Sequence, residues 1–361
     1  MNQVTLDHMH MAHALRLAER GLYTTQPNPR VGCVVAHGEE VVGEGWHVHA
    51  GEAHAEVLAL RAAGVRAHGA TVYVTLEPCG LQGRTPPCVD ALIAAGIARV
   101  VIASEDASQH AGDALARLRK AGIEVETGLM RETARGLNRG FFSRIERDRP
   151  WLRLKLAMSL DGRTALANGA SKWITGAAAR ADVQRWRARS SAILTGIGSV
   201  LADDPRLTAR IDETHIAPLR VVLDRDLRTP AGAHLLDGSV PTLVFHAQGS
   251  TPQDGRFDHV ECLASASDAA GLELRTVLRV LAERGCNEVQ VEAGPRLAGA
   301  WLAAGLVDEL LLYIAPVLLG DAAQPLLALP RLDDLAARWR MQVVEQGQVG
   351  EDWRLLLRPQ A

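Results

Sequence analysis

"TLEPCGLQGRTPPC", Thr75–Cys88, carries two of the chain's five cysteines, one on each side of a Gly-Arg-Thr-Pro-Pro turn. The β-branched run leading into it, "ATVYVTLE", reads as a strand, and "PCVDALIAAG" at its far end reads as a helix. Cys79 therefore stands just past a strand and Cys88 at a helix start. Such a pair can be a metal site, a disulfide, or two small core residues separated by a loop. Which one depends on the other side chains that converge on the sulfurs.

The bulk numbers narrow the setting. A chain of 361 residues is too long for one ordinary core, so two domains are expected. Apolar residues make up 47% and charged residues 22%, the mix of a globular protein, and the formal charge is only −3. No Lys/Arg stripe is dense enough to track a phosphate backbone, which argues against long nucleic acid as a partner. No apolar run reaches the ~20 residues of a membrane span, and Met1–His8 lacks the pattern of a signal peptide. An odd cysteine count without a regular framework favours a reducing, cytoplasmic setting.

Strand and helix patterns alternate through the first 148 residues. Leu6–Glu19 reads as a helix, "RVGCVVAHG" and "EVVGEGWH" as a hairpin around Gly38, and "HAEVLALRAAG" as a helix with an apolar stripe of Val57, Leu58, Leu60 and Ala63. The later strands "ATVYVTLE", "ARVVIAS" and "IEVETG" are separated by helices, which implies parallel pairing under a helical layer. The polar helical stretch "LMRETARGLNRGFFSRIERDRP" reads as a connector ending at Pro150, giving domains 1–148 and 149–361. The second half repeats the α/β alternation, and its looser stretch from about Pro230 to Ala270 reads as loops around one strand, "TLVFH".

Upstream of the two cysteines lies "HAEV", His54–Val57, at a helix start. His54, Cys79 and Cys88 offer three good zinc ligands, and three protein ligands leave the fourth tetrahedral position of a catalytic zinc for water. Glu56 is not needed as a ligand and is placed to carry protons. His, Glu and two Cys in this order form the signature of zinc deaminases acting on amino-pyrimidines or amino-purines. Other readings stay open at this level. A Cys79–Cys88 disulfide is conceivable, and His47 or His49 could close a four-ligand structural site. Cys33, Cys262 and Cys286 read as core.

"PNPRVGCVV" (Pro27–Val35), "AHAEVLAL" and "LEPC…GRTPPC" together resemble the deaminase half of the bifunctional riboflavin-biosynthesis deaminase–reductases. The resemblance implies a cytidine-deaminase-like three-layer α/β/α domain with zinc on His54, Cys79 and Cys88 and Glu56 as proton shuttle. It further implies that Asn28 and His47 hold the pyrimidine and that Arg84 contacts a 5′-phosphate, a role that suits a guanidinium fork. Many members carry Ser-His after the first cysteine, whereas this chain has Gly80-Leu81-Gln82. Any contact made by that histidine is missing here.

In the second half, "TGIGSV" and "VEAGPRLAGA" are Gly-containing strand-to-helix turns, natural cradles for phosphate. The first is not the dinucleotide fingerprint, because Leu201 stands where its third glycine belongs. "LKLAMSLDGRTA", "SKWITG", "DVQRWRA", "VLADDPRLTAR" and "LLLYIAPVLLG" resemble the reductase half of the same family, a dihydrofolate-reductase-like α/β domain that uses NADPH. That resemblance implies a cofactor site lined by Ala157, Trp173, Ser199, Asp203, Gly294, Pro295, Arg296, Leu297, Ala298, Gly299 and Ala300. It implies substrate contacts from Lys155, Ser171, Arg187, Leu207, Arg210 and Glu292. Arg225, after "VLD", is a candidate for the cofactor's 2′-phosphate.

The expectation is a cytoplasmic, self-associating two-domain enzyme that uses zinc and NADPH on small phosphorylated pyrimidines, with neither nucleic acid nor membrane as partner. The alternative is a nucleic-acid base deaminase whose second half is a binding module.

Overall fold

The computed structural model describes residues 2–83, 86–108, 112–251, 255–268 and 271–360. It divides into two compact units, Met1–Asp148 and Arg149–Ala361.

The first unit opens with α1 (Gln3–Glu19), whose N-cap Asn2 accepts from Thr5 N at 2.9 Å. The antiparallel hairpin β1 (Gly32–His37) and β2 (Glu40–Trp46) follows, then α2 (Ala55–Ala63), β3 (Thr71–Leu76) and α3 (Cys88–Ala94). β4 (Arg99–Ser104), α4 (Ala114–Lys120), β5 (Glu124–Thr127), α5 (Arg131–Leu137) and α6 (Arg139–Arg147) complete it. The sheet runs β2-β1-β3-β4-β5, with β3, β4 and β5 parallel. Ala59, Leu92 and Leu118, from α2, α3 and α4, pack on one face, and Met11, Leu15 and Ala134, from α1 and α5, on the other. These are three layers. Asp7 ties the outer helix down, accepting from Arg99 at 2.8 and 2.9 Å and from Tyr73 at 2.8 Å. The Arg99 bonds hold its carboxyl down at about 2.

Two expectations change here. The buried face of α2 is Ala55, Glu56, Ala59 and Ala63, while Val57, Leu58 and Leu60 are only half-buried. Glycines in β2 explain the preference for alanine. A Cβ on Gly43 would stand 2.3 Å from Ala59 O, and one on Gly45 2.7 Å from Ala55 O, so helix and strand meet backbone to backbone. The stretch read as a connector is also part of the first unit. Phe141 and Phe142 pack with Leu76. Arg30 N donates to Asn138 Oδ1 and Asn138 Nδ2 donates to Arg30 O, both at 2.8 Å.

The second unit contains β6 (Trp151–Ser159), β7 (Arg163–Ala165), α7 (Ala177–Ala188), β8 (Ala192–Gly196), α8 (Ile197–Asp203), β9 (Leu219–Leu223) and β10 (Thr242–Ala247). It continues with β11 (Glu261–Ser265), α9 (Leu274–Glu283), β12 (Glu288–Val291), α10 (Pro295–Ala303), β13 (Glu309–Ala315), β14 (Gln324–Pro325), β15 (Met341–Val349) and β16 (Asp352–Pro359). β7 pairs only with β14, and the main sheet runs β11-β10-β9-β8-β12-β6-β13-β16-β15. Pairing is parallel from β11 through β13 and antiparallel for the last two. Leu281 and Trp301, from α9 and α10, pack in the core of one face, while Val183 and Trp186 of α7 pack on Leu311 and Tyr313.

The looser stretch from 230 to 270 holds two strands, β10 and β11, not one. β11, "ECLAS", lies at the sheet edge with only its last residue buried, so its apolar signal is thin. Among the described residues, no helix is long and apolar enough to cross a membrane.

Candidate active sites

His54 is the N-cap residue of α2, Glu56 lies in its first turn, Cys79 follows β3, and Cys88 begins α3. The fold brings them together. His54 Nδ1 is 3.3 Å from Cys88 Sγ and 3.5 Å from Cys79 Sγ, and the three ligand atoms all lie within 4.8 Å of one another. Neither His47 nor His49 joins them. The His47 ring is held between Ala53 O (Nδ1, 3.3 Å) and Asn28 Nδ2 (Nε2, 3.0 Å), and His49 faces Glu52 at 3.4 Å. This geometry gives His47 a proton on Nδ1, donated to Ala53 O, and leaves Nε2 to accept from Asn28. Burial pushes the His47 imidazole down, so it is neutral. Its ring meets the His54 ring edge-on, with centroids 5.3 Å apart. All five cysteines are free of disulfides, so the disulfide reading is set aside.

The donor set fits zinc. The neighbouring Cys88 thiol pushes the Cys79 pKa down, toward the thiolate that a divalent cation takes, while Cys79 pushes Cys88 up. Three ligands are one short of the closed set of a structural zinc. Glu56 is only 3% exposed, burial raises its pKa, and its Oε2 is a buried oxygen with no partner among the described residues. An orphaned carboxylate oxygen beside three metal donors is a group arranged for a proton-bearing reactant. Arg84, expected to hold a phosphate, lies outside the described residues.

In the second unit, Glu292 stands just past the end of β12 and Arg187 near the end of α7. Their ion pair is bidentate, with both bonds at 2.7 Å. Gln290 donates to Glu292 Oε1 at 2.8 Å, and Arg187 Nη1 donates to Thr208 O at 3.0 Å. Burial opposes the charge on Glu292, but Arg187 and Lys155 outweigh it and bring the carboxyl down to about 2. Lys155 lies half-buried on β6 beside this pair, its own pKa lowered by burial. Arg187 is therefore not the helix-surface charge its sequence position allows. The Arg187 fork is committed to Glu292, while Arg210 is exposed and its Nη1 donates to Thr208 Oγ1 at 3.2 Å.

Two strand-to-helix turns lie side by side at the C-terminal ends of adjacent parallel strands, β8 and β12, the usual place for a ligand in such a sheet. Gly196 is close enough that a Cβ on it would stand 2.9 Å from Leu297. Gly198 and Gly294 face open space, and α10 begins at Pro295, so the backbone leaves room for a phosphate-bearing group. Arg296, Ala300, Ser199 and Asp203 sit on these two helices, and Lys172 reaches Asp203 at 3.4 Å. Trp173 is 69% exposed with Arg180 stacked 4.7 Å from its ring, so it is not core. Ser171 is half-buried two residues before it, and Ala157 lies on β6 opposite Tyr313. Leu207 and Ala298 pack in hydrophobic clusters, and a Cβ on Gly299 would stand 2.1 Å from the Ala328 carbonyl oxygen. Arg225 is exposed, 3.7 Å from Asp226.

Gln290 escaped the sequence reading, although its place two residues before Glu292 puts both on one side of the strand. Arg117, which donates to Gly80 O, had no such signal, because its partners are distant in sequence.

The family described as "RibD C-terminal domain" matches residues 150–355, and "Cytidine and deoxycytidylate deaminase zinc-binding region" matches residues 4–104. The riboflavin biosynthesis protein RibD of Escherichia coli K12 is 48% identical over 361 residues, covering 96% of this chain and 97% of the relative. The chain belongs to the RibD family. Among solved structures, RibD of Acinetobacter baumannii (form 2) is 41% identical with a TM-score of 0.92, covering 99% of this chain and 100% of its own. The Thermotoga maritima diaminohydroxyphosphoribosylaminopyrimidine deaminase/5-amino-6-(5-phosphoribosylamino)uracil reductase is 32% identical with a TM-score of 0.89 and the same coverage. Like other RibD proteins, this chain is a bifunctional enzyme of riboflavin biosynthesis, a zinc deaminase joined to an NADPH reductase. The nucleic-acid base deaminase alternative is not favoured, since both halves match one small-molecule family.

Proposed function

We propose that Met1–Asp148 deaminates 2,5-diamino-6-ribosylamino-4(3H)-pyrimidinone 5′-phosphate and that Arg149–Ala361 then reduces the ribosyl group of the product to ribityl. The observation that carries the first assignment is the convergence of His54, Cys79 and Cys88 beside the unpartnered Glu56 Oε2. Zinc on those three residues supplies the Lewis acidity that makes water nucleophilic near neutral pH. Glu56 would take a proton from water as the water oxygen adds to the amine-bearing carbon. It would deliver protons to the adjacent ring nitrogen and to the amino group, so that the C–N bond breaks and ammonia leaves. The neutral His47 and Asn28 orient the pyrimidine, and Arg84 holds its 5′-phosphate.

In the second unit NADPH supplies the hydride. The β8–α8 and β12–α10 turns hold its phosphates, with Trp173, Ser199 and Asp203 alongside. Glu292 accepts from sugar hydroxyls, Lys155 is a cationic partner next to it, and Arg210 meets the phosphate. Ser171 and the Leu207 backbone complete the substrate contacts. Orientation of the sugar against the cofactor is the larger part of what these residues contribute.

A coupled assay tests both halves. The deaminated ribosyl intermediate accumulates without NADPH and disappears when NADPH is added. Chelating the metal stops ammonia release but not the reduction of intermediate supplied directly. If NADPH leaves the intermediate untouched, the second assignment is wrong.

Five cysteines free of disulfides suit a cytoplasmic setting. Self-association is also proposed, through β15, a nine-residue edge strand whose central residues are exposed on both faces, Val343 and Val344 included. A monomer mass by light scattering at micromolar concentration would remove that proposal.

A further inference from the structure

The turn Gly80-Leu81-Gln82, where this chain departs from the family pattern, is held by a residue outside the ligand set. Arg117, on α4, donates from Nη1 to the Gly80 carbonyl at 2.6 Å and from Nη2 to Asp90 Oδ1. Gly80 follows Cys79 directly, and Asp90 lies in α3 two residues past Cys88. One guanidinium therefore grips both arms of the loop that carries the two sulfurs. Backbone bonds close the same frame, with Cys88 N donating to Cys79 Sγ and Val89 N to Cys79 O, both at 3.3 Å. Leu81 packs over Gly112, two residues before α4, so tightly that a Cβ on Gly112 would stand 3.0 Å from Leu81 Cγ.

We propose that Arg117 is a positioning residue of the deaminase, fixing the separation of Cys79 and Cys88 and so setting how tightly the site holds zinc. This rests on the zinc-deaminase reading of those ligands. The exposures weigh against a role in folding alone. Arg117 and Asp90 side chains are 32% and 55% exposed, and an ion pair that open to water contributes little to stability. The bond to Gly80 differs in kind, because a charged donor meets the carbonyl of a buried residue beside a ligand. Groups that orient metal ligands typically account for about 10–100-fold in metal affinity or activity. Lysine cannot copy the bridge, since a single ammonium lacks the planar fork that reaches both acceptors.

The test uses the full chain with Arg117→Met and Arg117→Lys. It measures zinc affinity by chelator competition, the absorption of the cobalt-substituted protein, and deaminase kcat and KM. Arg117→Met is expected to weaken zinc binding about tenfold or more, shift the cobalt ligand-field band, and lower kcat more than it raises KM. Arg117→Lys recovers part of each. Wild-type zinc affinity and cobalt spectrum in Arg117→Met, with only a lower melting temperature of the metal-free protein, overturn the proposal. Should Arg117→Met fail to fold, Arg117→Lys carries the same comparison, and wild-type zinc affinity and cobalt spectrum in it overturn the proposal equally. Failure of the underlying reading looks different, because the wild-type chain itself would then hold no zinc and release no ammonia.

Discussion

Replacing Glu56 with glutamine slows ammonia release about a thousandfold while leaving zinc in place. The substitution keeps the volume of a side chain that is 3% exposed, so the packing of α2 on the sheet survives. What disappears is the carboxylate that accepts a proton from water and gives it back to the departing amine. General acid–base groups contribute about 10²–10⁴-fold, so kcat for deamination falls by roughly three orders of magnitude. Metal analysis shows unchanged zinc, because Glu56 is not among the three ligands. Reduction of the supplied intermediate by the same chain continues at the wild-type rate. Ammonia release at an undiminished rate would take the proton-shuttle role away from Glu56.

Replacing Glu292 with glutamine strikes the other unit. Glu292 neutralises Arg187 through two bonds of 2.7 Å and lies beside the half-buried Lys155. Removing one partner of a buried ion pair costs about 3–5 kcal/mol, and the low end applies here because the Glu292 side chain keeps 15% of its surface. NADPH-dependent reduction falls about 10²-fold or more, as misplacing a substrate by an ångström does, while ammonia release is unaffected. The pH dependence follows from the sign of the shift. Glu292 is held down at about 2, below its unfolded value, so its stabilisation is complete above about pH 4.5. It is lost as the pH falls toward 2. Acid titration of the second unit loses this component in Glu292→Gln; an identical acid profile, or an unaltered reduction rate, contradicts the assignment.

The alternation of strand and helix was legible because several buried strands, such as "TVYVTL" and "RVVIAS", are β-branched runs and several helices stop at or near glycine or proline, as at Gly64 and Pro150. That His54, Cys79 and Cys88 could converge as a candidate metal site was legible because each sits at the end of an element whose type the sequence declares. Less legible was anything decided by a distant partner. The buried face of α2 is set by glycines in β2, so the large residues Val57 and Leu58 misdirect the eye. The Arg187–Glu292 pair spans 105 residues, and nothing local distinguishes Arg187 from a solvated helix charge. α5 and α6 look like a polar tether, yet Phe141, Phe142 and Asn138 bind them to the sheet. β11 failed for the opposite reason, too little burial to leave a pattern.

The seam where α2 meets Gly43 and Gly45 bears on any attempt to redesign this enzyme. The helix that presents His54 and Glu56 lies so close to Gly43 and Gly45 that a side chain at either would push it away, and its Ala55, Ala59 and Ala63 cluster with Cys33, Val35 and Val42. Retargeting the deaminase to another amino-heterocycle must therefore leave that helix where it is. The residue to vary is instead Asn28, proposed to meet the base, while the loop between the two cysteines keeps the anchors that hold Cys79 and Cys88 in place.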